Sequence, residues 1–224
     1  MNLLNSIKED LTDGLVDRLS DMVGLSSNDT GSALDIFLSG LLGGIAHKGS
    51  SIQGANTILD IIKQNRLDRD DTFDLAKIFN DDKKTSDYLE TGTNLLKSLF
   101  GNKKEELIDL LTRKSGLNNT IGSKLLSFLA PIAIKKIAVI VSNHDFEAKA
   151  LSDFFSNENN DLLGMIPGLG ILFSKPDKPK KVHSIEGYDK VPEKQNSSLW
   201  KWLLPLIIIG LLWVILKSHR FSGF

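Results

Sequence analysis

The chain has 224 residues, of which 41% are hydrophobic and 25% charged, and these are the proportions of a globular protein with one sizeable domain and appendages. Its 27 Lys and Arg residues nearly balance 28 Asp and Glu residues, so there is no basic excess of the kind that binds nucleic acid, and no nucleic-acid partner is expected. The sequence contains no cysteine, which excludes disulfides, thiolate catalysis and cysteine-ligated zinc.

Four amphipathic helices are predicted at the start of the chain. Apolar residues recur mostly every fourth position, with glycines where the pattern stops and capping residues where it restarts. The third of these helices is expected to turn Ile52 inward together with the isoleucines that follow. The predicted helices run from Leu3 to Met22 before Gly24, from the cap candidates Ser26 to Asp29 up to Gly49, from Ser50 or Ser51 through Ile62, and from Asp68 to Phe79.

The next stretch is predicted to hold the longest helix. A charged turn over 80–86 leads to an apolar stripe that Gly101 ends, and a further helix over 103–114 is ended by Gly116. Asn118 or Asn119 then caps a helix of about Thr120 to Ser142, whose apolar residues lie nearly all the way round it. Such a helix belongs in the middle of a bundle.

This longest helix is not predicted to span a membrane, because Lys135 and Lys136 lie in it and each central lysine costs about 2.5–3.5 kcal/mol on insertion scales. Pro131 should kink it. A last helix, around Phe146 to Phe155, completes the bundle, and 164–173 is expected to be a loop or short turn on the core.

The predicted fold class is therefore all-α: a multihelical bundle with a long central helix, plus one C-terminal transmembrane helix. The predicted domains are a helical domain over 1–173, a flexible linker rich in Lys and Pro over 174–198, a transmembrane helix over 199–217 and a short tail over 218–224. The lysines of the linker could contact anionic headgroups, or the linker could be a plain spacer.

The segment after the linker has the composition of a membrane anchor. Residues 203–216 carry no charge, and the stretch Leu199 to Leu216 covers about 27 Å as a helix. Tryptophans near both ends suit the headgroup level, and flanking lysines can extend outward. The predicted anchor residues are Trp200, Lys201, Trp202, Trp213 and Lys217.

The charges that flank this segment predict its orientation. Five lysines lie before or at its start, between Lys180 and Lys201, whereas only Lys217 and Arg220 follow it. With no signal peptide at the N-terminus, this bias predicts a single-pass protein whose helical domain faces the cytoplasm, at the inner membrane if the cell is Gram-negative. The lipid bilayer is accordingly a predicted partner.

No catalytic or metal-binding constellation is predicted, and no cofactor. The four histidines (47, 144, 183 and 219) are scattered and have no metal-site spacing. The acidic groups at 68–74 and 81–82 lack the calcium-loop pattern and are explained more simply as charges at helix starts. Gly40, Gly43 and Gly44 are followed by no phosphate-loop lysine, and they predict close helix–helix approach instead.

A faint internal repeat is also present. Gly24-Leu25 and Gly116-Leu117 each precede a Gly-Ser pair and an apolar helix. Common descent of two helical units would produce this echo, and so would the general frequency of glycine stops and serine caps.

Residues 92–131 carry a family resemblance. Gly92 to Gly101 resembles a G-x-x-L-L-x-x-L-F-G signature, Gly116-Leu117 follows, and Leu125 to Pro131 is similar to L-L-x-L-L-A-P. These motifs resemble the YidB-like bacterial family, a domain of unknown function, and the likeness covers most of 1–173. The signature residues are Gly92, Leu95, Leu96, Leu99, Phe100, Gly101, Gly116, Leu117, Leu125, Leu126, Leu129 and Pro131.

The resemblance implies a compact helical bundle and supplies no catalytic residues. Our leading hypothesis is a non-enzymatic, membrane-tethered interaction or scaffold module of the bacterial envelope, with an unknown protein partner. Two alternatives stay open: an envelope-associated enzyme whose site follows no motif, and a homo-oligomer that assembles at the membrane through the bundle.

Overall fold

Every regular element in the described part of the chain is an α-helix. The computed structural model describes residues 3–67, 75, 78 and 81–174, except the side chains of residues 159 and 160, and all of them belong to one compact unit. This confirms the all-α prediction. In those residues the helices are α1 (Leu3–Lys8), α2 (Asp13–Val23), α3 (Ser27–Gly49), α4 (Ile52–Gln64), α5 (Asp82–Phe100), α6 (Lys103–Ser115), α7 (Asn119–His144), α8 (Ala148–Met165) and α9 (Leu169–Phe173).

Side-chain caps fix where several helices begin. The Ser26 hydroxyl accepts the N–H of Asp29 at 3.1 Å, and the Asn118 side chain accepts the N–H of Ile121 at 3.0 Å. Ser51 caps α4, where either of two neighbouring serines was possible. Each cap satisfies a backbone donor that the first turn of a helix leaves without a partner.

The long central helix is confirmed as α7, which packs against α3, α5 and α6. Among the described helices it alone is long and apolar enough to cross a membrane, with a mean hydropathy of 1.9, but 72% of its apolar window is buried in the bundle. Lys136 turns out of the core, and its Nζ lies 3.0 Å from a carboxylate oxygen of Asp10. This burial is that of a core helix, as the sequence predicts.

The glycines of α3 allow other helices to approach closely, which confirms their predicted role. A methyl group built on Gly40 would overlap the Leu111 side chain of α6, and one built on Gly44 would lie 2.8 Å from the Phe100 ring. At the end of α3, Gly49 makes room for the Phe155 ring of α8 in the same way. The α3–α8 interface is consequently one of the two most extensive in the bundle, the other being α5–α7.

The candidate internal repeat pairs α1–α3 with the matching part of α5–α7 at a spacing of 92 residues, although the Gly-Ser pairs at 31–32 and 122–123 are 91 residues apart. Gly24 and Gly116 are both left-handed, with φ 74° and 73°, and the next leucine N–H donates over 3.1 Å to the carbonyl of Ser20 or Thr112. Duplication of one helical unit would produce this agreement, and so would amphipathic helices that end at glycine. Matching core positions include Leu3/Leu95, Leu4/Leu96, Ile7/Leu99, Leu15/Leu107, Leu19/Leu111, Leu34/Leu126, Phe37/Leu129, Leu42/Ile134 and Ile45/Ile137.

The predicted first helix, Leu3 to Met22, is wrong: it is two helices. After Lys8 the backbone tightens, with N–H to carbonyl bonds from Asp10 to Ile7 and from Leu11 to Lys8, and Thr12 is extended before α2. A stretch rich in Asp and Thr with a nearby Gly forms helix poorly. The break lets both helices bury their leucines. At the repeat spacing of 92 residues it corresponds to the break that Gly101 makes between α5 and α6.

Three other boundaries and the burial of Ile52 also differ from prediction. The expected charged turn over 80–86 is mostly helical from Asp82, because the Asp81 carboxylate caps α5 by accepting the N–H groups of the second and third residues after it. The last long helix extends past Phe155 to Met165, and α9 replaces part of the expected loop over 164–173. Ile52 is 53% exposed rather than inward.

Several predictions concern residues outside the described ranges. They are the fourth helix over 68–79, apart from Leu75 and Ile78, and the linker, membrane helix and tail after residue 174. Leu75 and Ile78 are helical and pack partly buried against the core.

Thr30 gives a first testable prediction. Its hydroxyl is fully buried in α3 and, among the described residues, is the buried side-chain oxygen that has no hydrogen-bond partner. Thr30→Val keeps the shape and removes the unsatisfied group, so we expect the free energy of unfolding to rise by about 1 kcal/mol. Urea unfolding followed by circular dichroism measures it, and a loss of stability would show that the hydroxyl has a partner in solution.

Candidate functional site: the α5–α7 crossing

The family signature lies in α5, α6 and α7 and is used for packing. Of its leucines, all but Leu117 are buried to 2% exposure or less, and Leu117 packs partly buried against the same core. Gly116 is the left-handed end of α6 and Gly101 follows the last residue of α5. The signature therefore marks the centre of the bundle, with Gly92 and Pro131 as its unusual members.

Gly92 and Pro131 meet at one carbonyl group. Pro131 lies inside α7 and has no N–H, so it cannot donate to the carbonyl of Ser127 one turn earlier. Gly92 of α5 packs against that same carbonyl, and a Cβ at Gly92 would overlap it. The absence of a side chain on α5 and of an N–H on α7 therefore act at the same atom, and they let the two helices cross closely.

Tyr88 and Thr93 add hydrogen bonds to this crossing. The Tyr88 hydroxyl is buried and donates to the Phe128 carbonyl at 3.1 Å, with the two rings 5.6 Å apart. The Thr93 and Ser127 hydroxyls lie 2.9 Å from each other. Together with Gly92 these residues, here called the α5–α7 crossing, join the helices through polar groups inside an otherwise apolar interface. Sequence reasoning missed Tyr88, although it precedes Gly92 by one helical turn on the buried face.

A groove of about 430 Å³ opens beside the crossing at the start of α7. Its walls offer hydroxyl, amide and ammonium groups, and none of the lining residues is a carboxylate or a histidine. This groove can form hydrogen bonds with a polar partner but has no acid–base pair of its own. The lining residues are Leu89, Thr93, Asn119, Thr120, Ser123, Lys124 and Ser127.

Burial raises the pKa of Tyr88 above that of an ordinary tyrosine. Because the folded state keeps the proton when the unfolded chain has lost it, the bundle loses stability as pH rises above about 10, by at most about 1.4 kcal/mol per pH unit from this group. We expect Tyr88→Phe to cost about 1 kcal/mol near neutral pH, through the lost hydrogen bond, and to flatten the alkaline decline.

Urea unfolding at several pH values, with and without the Tyr88→Phe change, measures this difference. Tyr188 is the other tyrosine of the chain, so the ultraviolet absorbance of tyrosinate in the variant reports Tyr188 alone. An identical alkaline decline in both proteins would contradict the assignment to Tyr88.

The remaining titratable groups do not assemble into a site in the described residues, where no group of three or more His, Asp or Glu side chains could hold a metal ion. His47 is half-buried, and its ring stacks on Phe173 with centroids 5.7 Å apart. His144 lies at the end of α7 and its Nδ1 is 3.0 Å from the Ile140 carbonyl.

The predicted anchor residues lie outside the described ranges. These are Trp200, Lys201, Trp202, Trp213 and Lys217. The structure therefore brings together the signature residues of the bundle and leaves the anchor as a prediction from sequence.

Comparison with known proteins gives a family for this bundle. Residues 5–139, more than half of the chain, match the model of a family described as "Bacterial protein of unknown function (DUF937)". The chain belongs to this family. The DUF937 match contains the whole α5–α7 crossing and ends within α7, so it is narrower than the predicted 1–173, and α8 and α9 pack onto it from beyond its end. Neither the curated proteins nor the solved structures include a match to the chain.

Proposed function

We propose that this DUF937 chain is a non-enzymatic, membrane-tethered interaction module of the bacterial cell envelope, of the YidB-like, C-terminally anchored kind. The observation that carries the proposal is the segment 199–217, where a charge-free apolar stretch lies between Trp-Lys-Trp and Lys217. A helix without a polar face, following a stretch rich in lysine and proline, is suited to a bilayer and not to water.

The proposed interaction role has support in how the bundle uses its residues. The signature residues of α5–α7 pack inside the bundle, so binding to a partner would use the outer surface. That surface includes the polar groove beside the α5–α7 crossing and an apolar segment at the C-terminal end of the bundle. Partner recognition would use such surfaces, and the partner is an unidentified protein or a second copy of the chain.

The proposed orientation places the bundle in the cytoplasm. The lysines up to Lys201 exceed the charges after the segment, and positive flanks stay on the cytoplasmic side. The tail that follows the anchor would then lie on the other side of the membrane.

Membrane fractionation tests the tether. The full chain is expected to sediment with membranes, resist extraction by alkaline carbonate and dissolve in detergent, whereas a chain lacking 199–224 is expected in the soluble fraction. A matched variant with Ile208→Lys and Leu211→Lys keeps the length of the chain. It places two charges at the centre of the anchor, and inserting each of them into the bilayer costs about 2.5–3.5 kcal/mol. A carbonate-soluble full chain would overturn the tether.

Site-specific labelling tests the orientation, since the chain contains no cysteine to interfere. Gln53→Cys places a thiol on an exposed position of α4, and Ser222→Cys places one in the tail. In intact spheroplasts a membrane-impermeant maleimide should label the tail variant and reach the α4 variant only after lysis. The reverse pattern would place the bundle outside.

Affinity capture from detergent-solubilised native membranes tests the interaction role. A partner that binds the groove should co-purify with the full chain in fixed proportion. It should be lost when Ser123 and Lys124 of the groove are both changed to Glu. A purified bundle that turns over a substrate with kinetics sensitive to mutation would overturn the non-enzymatic proposal.

A further inference from the structure

The segment Gly164–Phe173, here called the C-terminal apolar segment, carries no charged residue. It contains the end of α8, a turn at Gly168 with φ 97°, and the short helix α9. Ser174, the last described residue, follows it directly. This segment is therefore the described part of the chain that lies nearest in sequence to the predicted anchor.

One side of the segment is fixed in the core. Leu169 is fully buried, and a Cβ on Gly43 of α3 would lie 2.5 Å from its side chain. The Phe173 ring lies 5.6 Å from the Phe100 ring and also packs over Gly44. The position of α9 on the bundle is thus set by apolar contacts to α3 and α5.

Other apolar side chains of the segment point to solvent. Ile171 is 83% exposed and Met165 is 45% exposed. Four large hydrophobic residues are exposed in the described part of the chain, and Ile171 is the most exposed of them. The other two, Ile52 and Val139, lie on α4 and α7, away from this segment in the chain. Some side chains of the apolar segment therefore pack on the core, whereas Met165 and Ile171 are exposed to solvent.

The ionic groups beside Ile171 do not favour one sign of charge. The groove between α6 and α9 includes Lys103 and Arg113, and each is paired with an acid: Nζ of Lys103 lies 3.1 Å from Glu106, and an Arg113 nitrogen lies 3.5 Å from Asp109. The rim is therefore electrically balanced, so binding to a bilayer would depend on the apolar side chains and not on attraction to anionic headgroups.

We propose that the C-terminal apolar segment rests on the lipid bilayer, inserting Ile171 and Met165 at the membrane–water interface and seating the bundle on the membrane. This proposal depends on the tether proposed above. The predicted anchor begins 25 residues after Ser174, so it lies within about 90 Å of that residue even if the chain between them is fully extended. The apolar segment is the described part of the chain with the shortest connection to the anchor, and tethering makes a small apolar surface sufficient for binding.

The test uses the full chain in vesicles of three parts phosphatidylcholine to one part phosphatidylglycerol. Ile171→Cys and, separately, Met165→Cys are labelled with an environment-sensitive fluorophore, and Ile52→Cys is the matched control, since Ile52 is also a large exposed hydrophobic residue, 53% exposed. We expect the label at 171 or 165 to shift to shorter wavelengths, and brominated acyl chains to quench it by about twofold or more. The label at 52 should not change.

Vesicle co-sedimentation of the same samples separates this proposal from the tether. Chain that sediments with vesicles while its labels at 171 and 165 remain as polar and unquenched as the label at 52 would overturn the docking and leave the tether standing. Chain that does not sediment would overturn the tether and the docking together. A wavelength shift that depends on protein concentration and is not quenched by bromine would show that a second copy, not lipid, covers the segment.

Discussion

Replacing Gly92 by alanine is expected to lower the free energy of unfolding by about 3 kcal/mol, a large loss for one methyl group. The added Cβ would overlap the carbonyl group of Ser127, which is backbone and cannot turn aside as a flexible side chain can. Helices α5 and α7 must then separate, and the Tyr88 hydrogen bond and the Thr93–Ser127 contact stretch with them. The effect is large because several contacts depend on one close approach.

Gly31→Ala is the matched control for this substitution. Gly31 also lies inside a helix, but a Cβ there meets nothing within 4 Å, so the change is expected to raise stability by about 0.5–1 kcal/mol through helix propensity alone. Urea unfolding by far-ultraviolet circular dichroism, in mild detergent, measures both. Tryptophan fluorescence is unsuitable because all three tryptophans, at 200, 202 and 213, belong to the predicted membrane anchor and not to the sequence of the helical domain. Equal effects at the two glycines would refute the close crossing.

Pro131 provides a second way to examine the same atom. Pro131→Ala restores an N–H that can donate to the Ser127 carbonyl, the group against which Gly92 packs. If the two signature residues act at one place, the Gly92→Ala and Pro131→Ala changes must be coupled. The double variant should then differ from the sum of the single variants by at least about 0.5 kcal/mol, whereas independent sites would be additive within that margin.

Local signals in the sequence predict much of this bundle. Glycine stops at Gly24, Gly101 and Gly116 and caps at Ser26 and Asn118 act within one or two turns, so a reading of neighbouring residues finds them. The nearly continuous apolar surface of α7 likewise requires a central position whatever surrounds it. These features fix the fold class and most helix boundaries without any long-range information.

The missed boundaries of α8 and α9 depend on contacts between distant helices. Residues 156–161 are mostly polar and short and would end a helix in isolation, yet α8 continues to Met165 because Leu162 is buried, with its backbone close to Gly43 of α3. Leu169 of α9 packs against the same glycine. Packing against α3 outweighs local propensity there, and no pattern within 146–173 reveals it.

The sequence predicts some residues of the α5–α7 crossing but not the contacts between them. Motif matching finds Gly92 and Pro131, because both are distinctive in a leucine-rich stretch, but their common target on Ser127 follows only from how two helices cross. Tyr88 gave a usable signal, since a tyrosine on the buried face of a helix usually finds a hydrogen-bond acceptor. Its acceptor, the Phe128 carbonyl, lies 40 residues away in the chain and cannot be read from sequence.

Phe155→Ala is expected to produce the largest loss of stability, about 3–5 kcal/mol. The ring is fully buried in α8 and occupies the space left by Gly49 at the end of α3. The surrounding helices cannot close the cavity, since Gly49 has no side chain to fill it. Because a domain of this kind has only about 5–15 kcal/mol in total, the variant should be close to unfolding at growth temperature.

The neighbouring Phe154 serves as the control for this second prediction. It is the same residue type on the same helix, its ring lies 5.3 Å from that of Phe155, and it is only partly buried. Phe154→Ala is expected to cost about 1–2 kcal/mol, from lost apolar burial without an enclosed cavity. Since α8 lies beyond the DUF937 match, a loss of the whole unfolding transition in Phe155→Ala would establish that the folded unit is larger than the family region. A variant that unfolds α8 separately while the rest melts as before would instead make residues 5–139 the independent folding unit.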